Sequence, residues 1–149
     1  MIGTKYQKSR RTISDYPYSV IKRPKSYNKL GRRVSGKYFQ DYAMYSLTLE
    51  ERATCPTTCQ RWADCYGNNM PFAHRLQHGL DLEHALFRDV GAACRENPRG
   101  VLVRLHVLGD FYSPEYVGVW EELLATHDNL AAFGYTHRND PACPIHQAI

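Results

Sequence analysis

From Ala43 onward the apolar residues of this chain change period repeatedly, and each change marks a boundary between elements. Met44 to Glu50 alternates, with Tyr45, Leu47 and Leu49 on one face and Ser46, Thr48 and Glu50 on the other, as a strand does. From about Pro71 to Asn97 the residues Phe72, Leu76, Leu80, Leu82, Leu86, Val90 and Ala93 fall at helical spacings. That pattern predicts a helix interrupted near Gly79 and ended by Asn97-Pro98-Arg99-Gly100. Val101 to Leu108 is the strongest strand pattern, stopped by Gly109 and Asp110. Ser113-Pro114 then supplies an N-cap and a first-turn proline for a helix carrying Val117, Trp120, Leu123 and Leu124. Leu130 to Thr136 reads as a third strand, and residues 141–149 as the opening of another helix. Strands separated by helix-length connections favour parallel pairing with right-handed crossovers. The expectation is an α/β fold, a partial (β/α) barrel-like parallel sheet, with the few strands of a fragment of a longer protein.

The first connection is unlike the others. Cys55-Pro-Thr-Thr-Cys59-Gln-Arg-Trp-Ala-Asp-Cys65 puts three cysteines into eleven residues, with polar residues between most of the sulfurs. Cysteines with a packing role are spread along apolar faces, whereas three thiolates on one short loop can converge on one metal centre. Five cysteines, with Cys94 and Cys143, leave one over in any disulfide pairing, and Met1 to Arg11 is polar and basic with no apolar stretch of a secretion signal behind it. Reduced thiols in a cytoplasmic protein are therefore expected. No apolar run approaches the roughly 18 residues of a membrane span, so no membrane partner is expected.

Charge divides the chain differently. Residues 1–40 hold eleven Lys/Arg against one acid, Asp15, a balance of +10, while residues 41–149 carry eight basic and fourteen acidic side chains, or −6. Tyr6, Tyr16, Tyr18, Tyr27 and Tyr38 are interleaved with the cations. A basic N-terminal arm (1–40) ahead of an α/β domain (41–149) is the expected organisation. Such an arm suits nucleic acid, through phosphate contacts and ring stacking, and equally suits wrapping on its own acidic domain.

Strand faces narrow the candidate residues. Val101, Val103, Leu105 and Val107 share one face of the central strand, and Leu102, Arg104, His106 and Leu108 the other. Glu50, the cysteine loop, Asp110 and Arg138 all fall at carboxyl ends of strands, where α/β folds collect their chemistry. Arg104 and His106 fit an interior hydrogen bond or ion pair as well as catalysis. The loop itself fits an iron–sulfur cluster on Cys55, Cys59 and Cys65, or zinc if Cys94, Cys143 or a histidine completes four ligands. His74 and His78, four apart, are a second pair of candidate zinc ligands, although Arg75 stands where a zincin has its glutamate. A Cys59 nucleophile with His106 as base is a further arrangement of the same residues.

Thr54-Cys55-Pro56 with Cys59 and Cys65-Tyr66, then Leu105-His106-Val107-Leu108-Gly109-Asp110-Phe111 and Gly134-Tyr135-Thr136, resembles the mycobacteriophage gene product 88-like proteins and their uncharacterised bacterial relatives. Those are similar to radical S-adenosylmethionine enzymes, and the likeness spans about residues 43–149. The resemblance implies a [4Fe–4S] cluster on Cys55, Cys59 and Cys65, and S-adenosylmethionine held at Gly109 and Asp110, with Asp110 supplying the carboxylate for the cofactor amine. The common radical spacing is Cys-x3-Cys-x2-Cys, whereas the second interval here is five residues.

Overall fold

A parallel strand can be reached only by a crossover, and the main sheet of this chain contains two of them. The computed structural model describes residues 4–24, 33–35, 37–59, 61 and 63–149. In chain order these form a 3-10 turn at Gln7–Ser9, β1 (Arg10–Arg11), β2 (Ala43–Ser46), α1 (Glu51–Thr54) and a second 3-10 turn at Tyr66–Asn69. There follow β3 (Arg75–Leu76), α2 (Leu80–Glu96), β4 (Val101–Leu105), α3 (Pro114–Thr126), β5 (Leu130–Gly134) and α4 (Pro144–Ala148). The main sheet has the order β2-β4-β5, all parallel, with Ala43 opposite Val101 and Val101 opposite Leu130. A second, two-stranded parallel pair joins β1 to β3. The fold is a small α/β domain with an open sheet and no closed barrel among the described residues.

Helix α2 buries Leu82, Ala85, Leu86, Val90 and Ala93 on one stripe, and α3 buries Tyr116, Val117, Trp120 and Leu123. Both stripes follow the helical period, so each helix covers the sheet with one face. Val101 and Val103 are wholly buried in the central strand. Each such side chain stabilises the fold by about 1.5–3 kcal/mol relative to exposure. The Ser113 hydroxyl caps α3 by accepting a 3.0 Å hydrogen bond from Tyr116 N, with Pro114 at the first helical position.

The basic segment contributes to this core. Tyr16, Val20 and Ile21 are buried in the same cluster as the sheet residues, and Val20 N donates to the Asp89 carboxylate at 2.9 Å. Lys25, Tyr27, Lys29 and Arg32 lie outside the described residues.

Several boundaries differ from the sequence expectation. The expected helix from Pro71 begins only at Leu80, and Pro71 to Gly79 instead holds turns and β3. Gly79, at φ +133, has a backbone that a helix cannot continue through. His74 and His78 therefore share no helix face. His74 meets the Tyr16 ring edge-on and His78 lies against Tyr112. The central strand ends at Leu105 because His106 adopts φ +60, a left-handed conformation that breaks the alternation of faces. Glu50 is the N-cap of α1, not the last residue of a strand, and β5 stops at Gly134.

Candidate metal centre

The carboxyl ends of the strands enclose a cavity of about 360 Å³ whose wall includes Cys55, Cys59, Cys65, Leu108, Gly109 and His137. Short local structure delivers each sulfur. Cys55 is the C-cap of α1, its N–H donating to Glu51 O at 3.1 Å. Cys59 closes a turn through Cys59 N to Pro56 O at 3.0 Å. Cys65 caps the second 3-10 turn, with Asn68 N bonded to its carbonyl at 2.9 Å. All three are free thiols. They line one cavity without meeting at a point: among the described residues no three His, Cys, Asp or Glu side chains are grouped so as to hold a single ion. Tetrahedral zinc with 2.3 Å bonds needs its sulfurs only about 3.8 Å apart, whereas a four-iron cluster holds its cysteines further apart.

Negative charge lies around Cys55. Burial first, then Asp110, the other two cysteines and Glu51, push the Cys55 thiol up to about 12. A cation in the cavity reverses that field, because a coordinating thiol is deprotonated by the metal itself.

Two buried networks hold the walls. Arg75, with no exposed surface, pairs through Nε with the Glu51 carboxylate at 2.8 Å and donates to the carbonyls of Gly67, Met70 and Ala73, each at 2.9 Å. It thus fastens the chain after Cys65 to the helix that carries Cys55. Thr4 adds a 2.9 Å hydroxyl bond to Glu51, and the Tyr6 hydroxyl donates to the Asn68 carbonyl.

Asp110 is the second anchor. Its carboxylate accepts from Phe111 N at 2.7 Å, the Thr136 hydroxyl at 2.7 Å and His137 N at 2.8 Å, while its own N–H donates to the Thr54 hydroxyl at 3.1 Å. Arg138 closes the ring, donating to Thr54 O at 2.7 Å and Phe111 O at 2.9 Å. Gly109, at φ +91, passes so close to Leu49 and α1 that a Cβ there would lie 2.7 Å from the Leu49 Cβ and the Thr54 hydroxyl.

Of the expected site residues, Cys55, Cys59, Cys65 and Gly109 share the cavity, and Asp110 stands behind its wall with its oxygens engaged. Arg138 joins them through Thr54. Glu50 pairs with Arg10 at 2.8 Å. His106 turns to Tyr116, Nε2 to the hydroxyl at 2.8 Å, and burial lowers its pKa from 6.5 to about 3. It is therefore neutral and on a different network from Cys59. Cys94 is buried in α2 and Cys143 caps α4, neither on the cavity wall.

Residues 19–145 match the family described as Gene product 88. The chain belongs to that family. No curated protein and no solved structure matches it. The span matched to Gene product 88 takes in the whole β2-β4-β5 sheet, the cysteine loop and both buried anchors except Thr4 and Tyr6. Arg10 and its pairing with Glu50 also lie outside the Gene product 88 match. Among the described residues no helix is long and apolar enough to cross a membrane.

The sequence patterns single out neither Glu51 nor His137, and they give Arg75 and Thr54 no part in holding the walls. Thr136-His137-Arg138, a polar triplet at a strand end, was a signal that could have been weighed for His137. No sequence pattern marks Arg75, which joins Glu51 to carbonyls of the loop just before it.

Proposed function

We propose that this protein binds an iron–sulfur cluster, with Cys55, Cys59 and Cys65 as thiolate ligands. The observation that carries the reading is that three of the five free cysteines, Cys55, Cys59 and Cys65, line one cavity at the carboxyl ends of the parallel strands. The donor set fits the group: three soft thiolates on one cavity wall are the ligand type that iron–sulfur clusters take. Cys55, Cys59 and Cys65 would hold the irons, Leu108 and Gly109 would limit water access, and Arg75 and Asp110 would keep the loop walls in register. A cluster there would supply one-electron transfer, or, in the finer reading, reductive cleavage of S-adenosylmethionine.

That finer reading asks for an iron free of protein ligands and a carboxylate free to take the cofactor amine. Gly109 is on the cavity wall, but Asp110 already accepts three hydrogen bonds, and the second cysteine interval is longer than the radical pattern. Cluster binding is therefore the function proposed, with S-adenosylmethionine as a second occupant open to test.

Anaerobic purification and reconstitution followed by iron, sulfide and zinc analysis tests the proposal. A brown protein with broad visible absorbance is expected, lost in each of Cys55→Ala, Cys59→Ala and Cys65→Ala and kept in Cys94→Ser and Cys143→Ser. Stoichiometric zinc without iron replaces the cluster by a zinc-binding module.

A further inference from the structure

The cavity wall offers one imidazole besides the thiols. His137 follows β5 and lines the same cavity as Cys55, Cys59 and Cys65. Its backbone is fixed at its own N–H, which donates to Asp110 at 2.8 Å, and the guanidinium of the next residue, Arg138, donates to the carbonyl of Thr54 at 2.7 Å. Thr54 immediately precedes Cys55. Through the Arg138 guanidinium the residue after the histidine is bonded to the residue before the first cysteine, which ties together the two stretches of chain that bring His137 and Cys55 to the same cavity.

Charged side chains of the wall are already paired. Glu51 is bound by Arg75 and the Thr4 hydroxyl, and Arg61 pairs with Asp64 at 2.9 Å. No hydrogen bond to the His137 ring occurs among the described residues, so its nitrogens are available.

We infer that His137 is the fourth protein ligand of the cysteine centre, completing a Cys3His set. This rests on the reading that the three cysteines hold the cluster. A neutral imidazole suits the position, since a fourth thiolate would add another negative charge beside the Glu51 and Asp110 carboxylates. The role also explains Asp110, which acts as a positioning residue for His137. A closed set of four leaves no iron on which S-adenosylmethionine can be chelated. Histidine in place of thiolate also raises the cluster potential, as it does in other mixed-ligand iron–sulfur centres.

The test uses the full chain, reconstituted and reduced, with and without selective 15N-histidine labelling, beside His137→Ala and His137→Cys. Pulsed electron paramagnetic resonance should find a nitrogen coupling in the unsubstituted protein that changes with the label and vanishes in both variants. His137→Cys should keep full iron content and show a lower midpoint potential. Added S-adenosylmethionine should perturb the spectrum of His137→Ala alone. Full iron with no histidine-nitrogen coupling, a coupling that survives in His137→Ala, or a spectrum of the unsubstituted protein altered by S-adenosylmethionine overturns the ligand assignment and leaves the cluster reading standing. An unsubstituted protein that takes up no iron removes both.

Discussion

Gly109 and Asp110 divide what the sequence resemblance treated as one cofactor segment into two physical tasks. Gly109 combines a left-handed backbone with contact too close for a side chain, so Gly109→Ala is expected to lower stability by about 1–3 kcal/mol, read by urea unfolding. Asp110→Asn turns one acceptor oxygen into a donor facing other donors, and should cost a similar 1–3 kcal/mol. A substitution that weakened S-adenosylmethionine binding and left unfolding unchanged would return Asp110 to the cofactor. His106 carries a pH prediction of its own. Its folded pKa is about 3 and its ordinary value 6.5, so the unfolded chain binds the extra proton between those values. Stability is therefore whole above pH 6.5 and falls as pH drops toward about 3, by about 1.4 kcal/mol per unit once the unfolded imidazole is fully protonated. His106→Gln should flatten that part of the stability profile; an unchanged acid limb would assign it to the carboxylates.

At the scale of elements, the parts legible in the sequence are those whose signal is local. The alternation of Tyr45, Leu47 and Leu49, the Ser113-Pro114 cap and the helical stripe from Leu82 to Ala93 each report burial by their own neighbours. Those patterns led directly to the parallel β2-β4-β5 sheet, and the three cysteines to a shared cavity. What stayed hidden depends on side-chain-to-backbone bonds and single dihedrals that leave no period in the sequence. Phe72 and Leu76 mimic helical spacing, yet Phe72 is exposed and the chain bends around Arg75, whose guanidinium replaces the backbone bonds a helix would have made. The strand period through His106 likewise fails at a single dihedral that composition does not announce. The buried pair between β3 and α1 is open to a double-mutant cycle. Arg75→Met strands the Glu51 carboxylate and three carbonyls, and is expected to cost about 3–5 kcal/mol. Glu51→Gln leaves Arg75 its carbonyl partners and should cost less, with the double variant short of the sum. Additive losses would mean that the two side chains act separately and that the loop after Cys65 is held by other bonds.

For the whole molecule, the opposed charge of the two sequence regions acquires a geometric meaning. Arg10 is spent on Glu50, and Lys22 lies over the Tyr16 ring, its backbone bridged to Ser46. Tyr16, Val20 and Ile21 fill the core. Removing the first forty residues would therefore expose apolar sheet surface, so loss of nucleic-acid binding in a chain shortened to Asp41 could reflect unfolding alone. Lys5, Lys8 and Lys37 are exposed and stand outside the ion pairs of the described residues, which makes them the cleaner probe. If the basic segment binds phosphates, single-stranded DNA should associate with an affinity that falls steeply with salt. Lys5→Gln, Lys8→Gln and Lys37→Gln together should then weaken binding and reduce the logarithmic salt slope by about 0.7 for each phosphate no longer neutralised. Unfolding midpoints should hardly move, since these side chains cover no core. Equal binding by the triple variant, or a salt-independent affinity, would leave the cations of this segment with the role that Arg10 already has, tying an acidic domain to its own N-terminal chain.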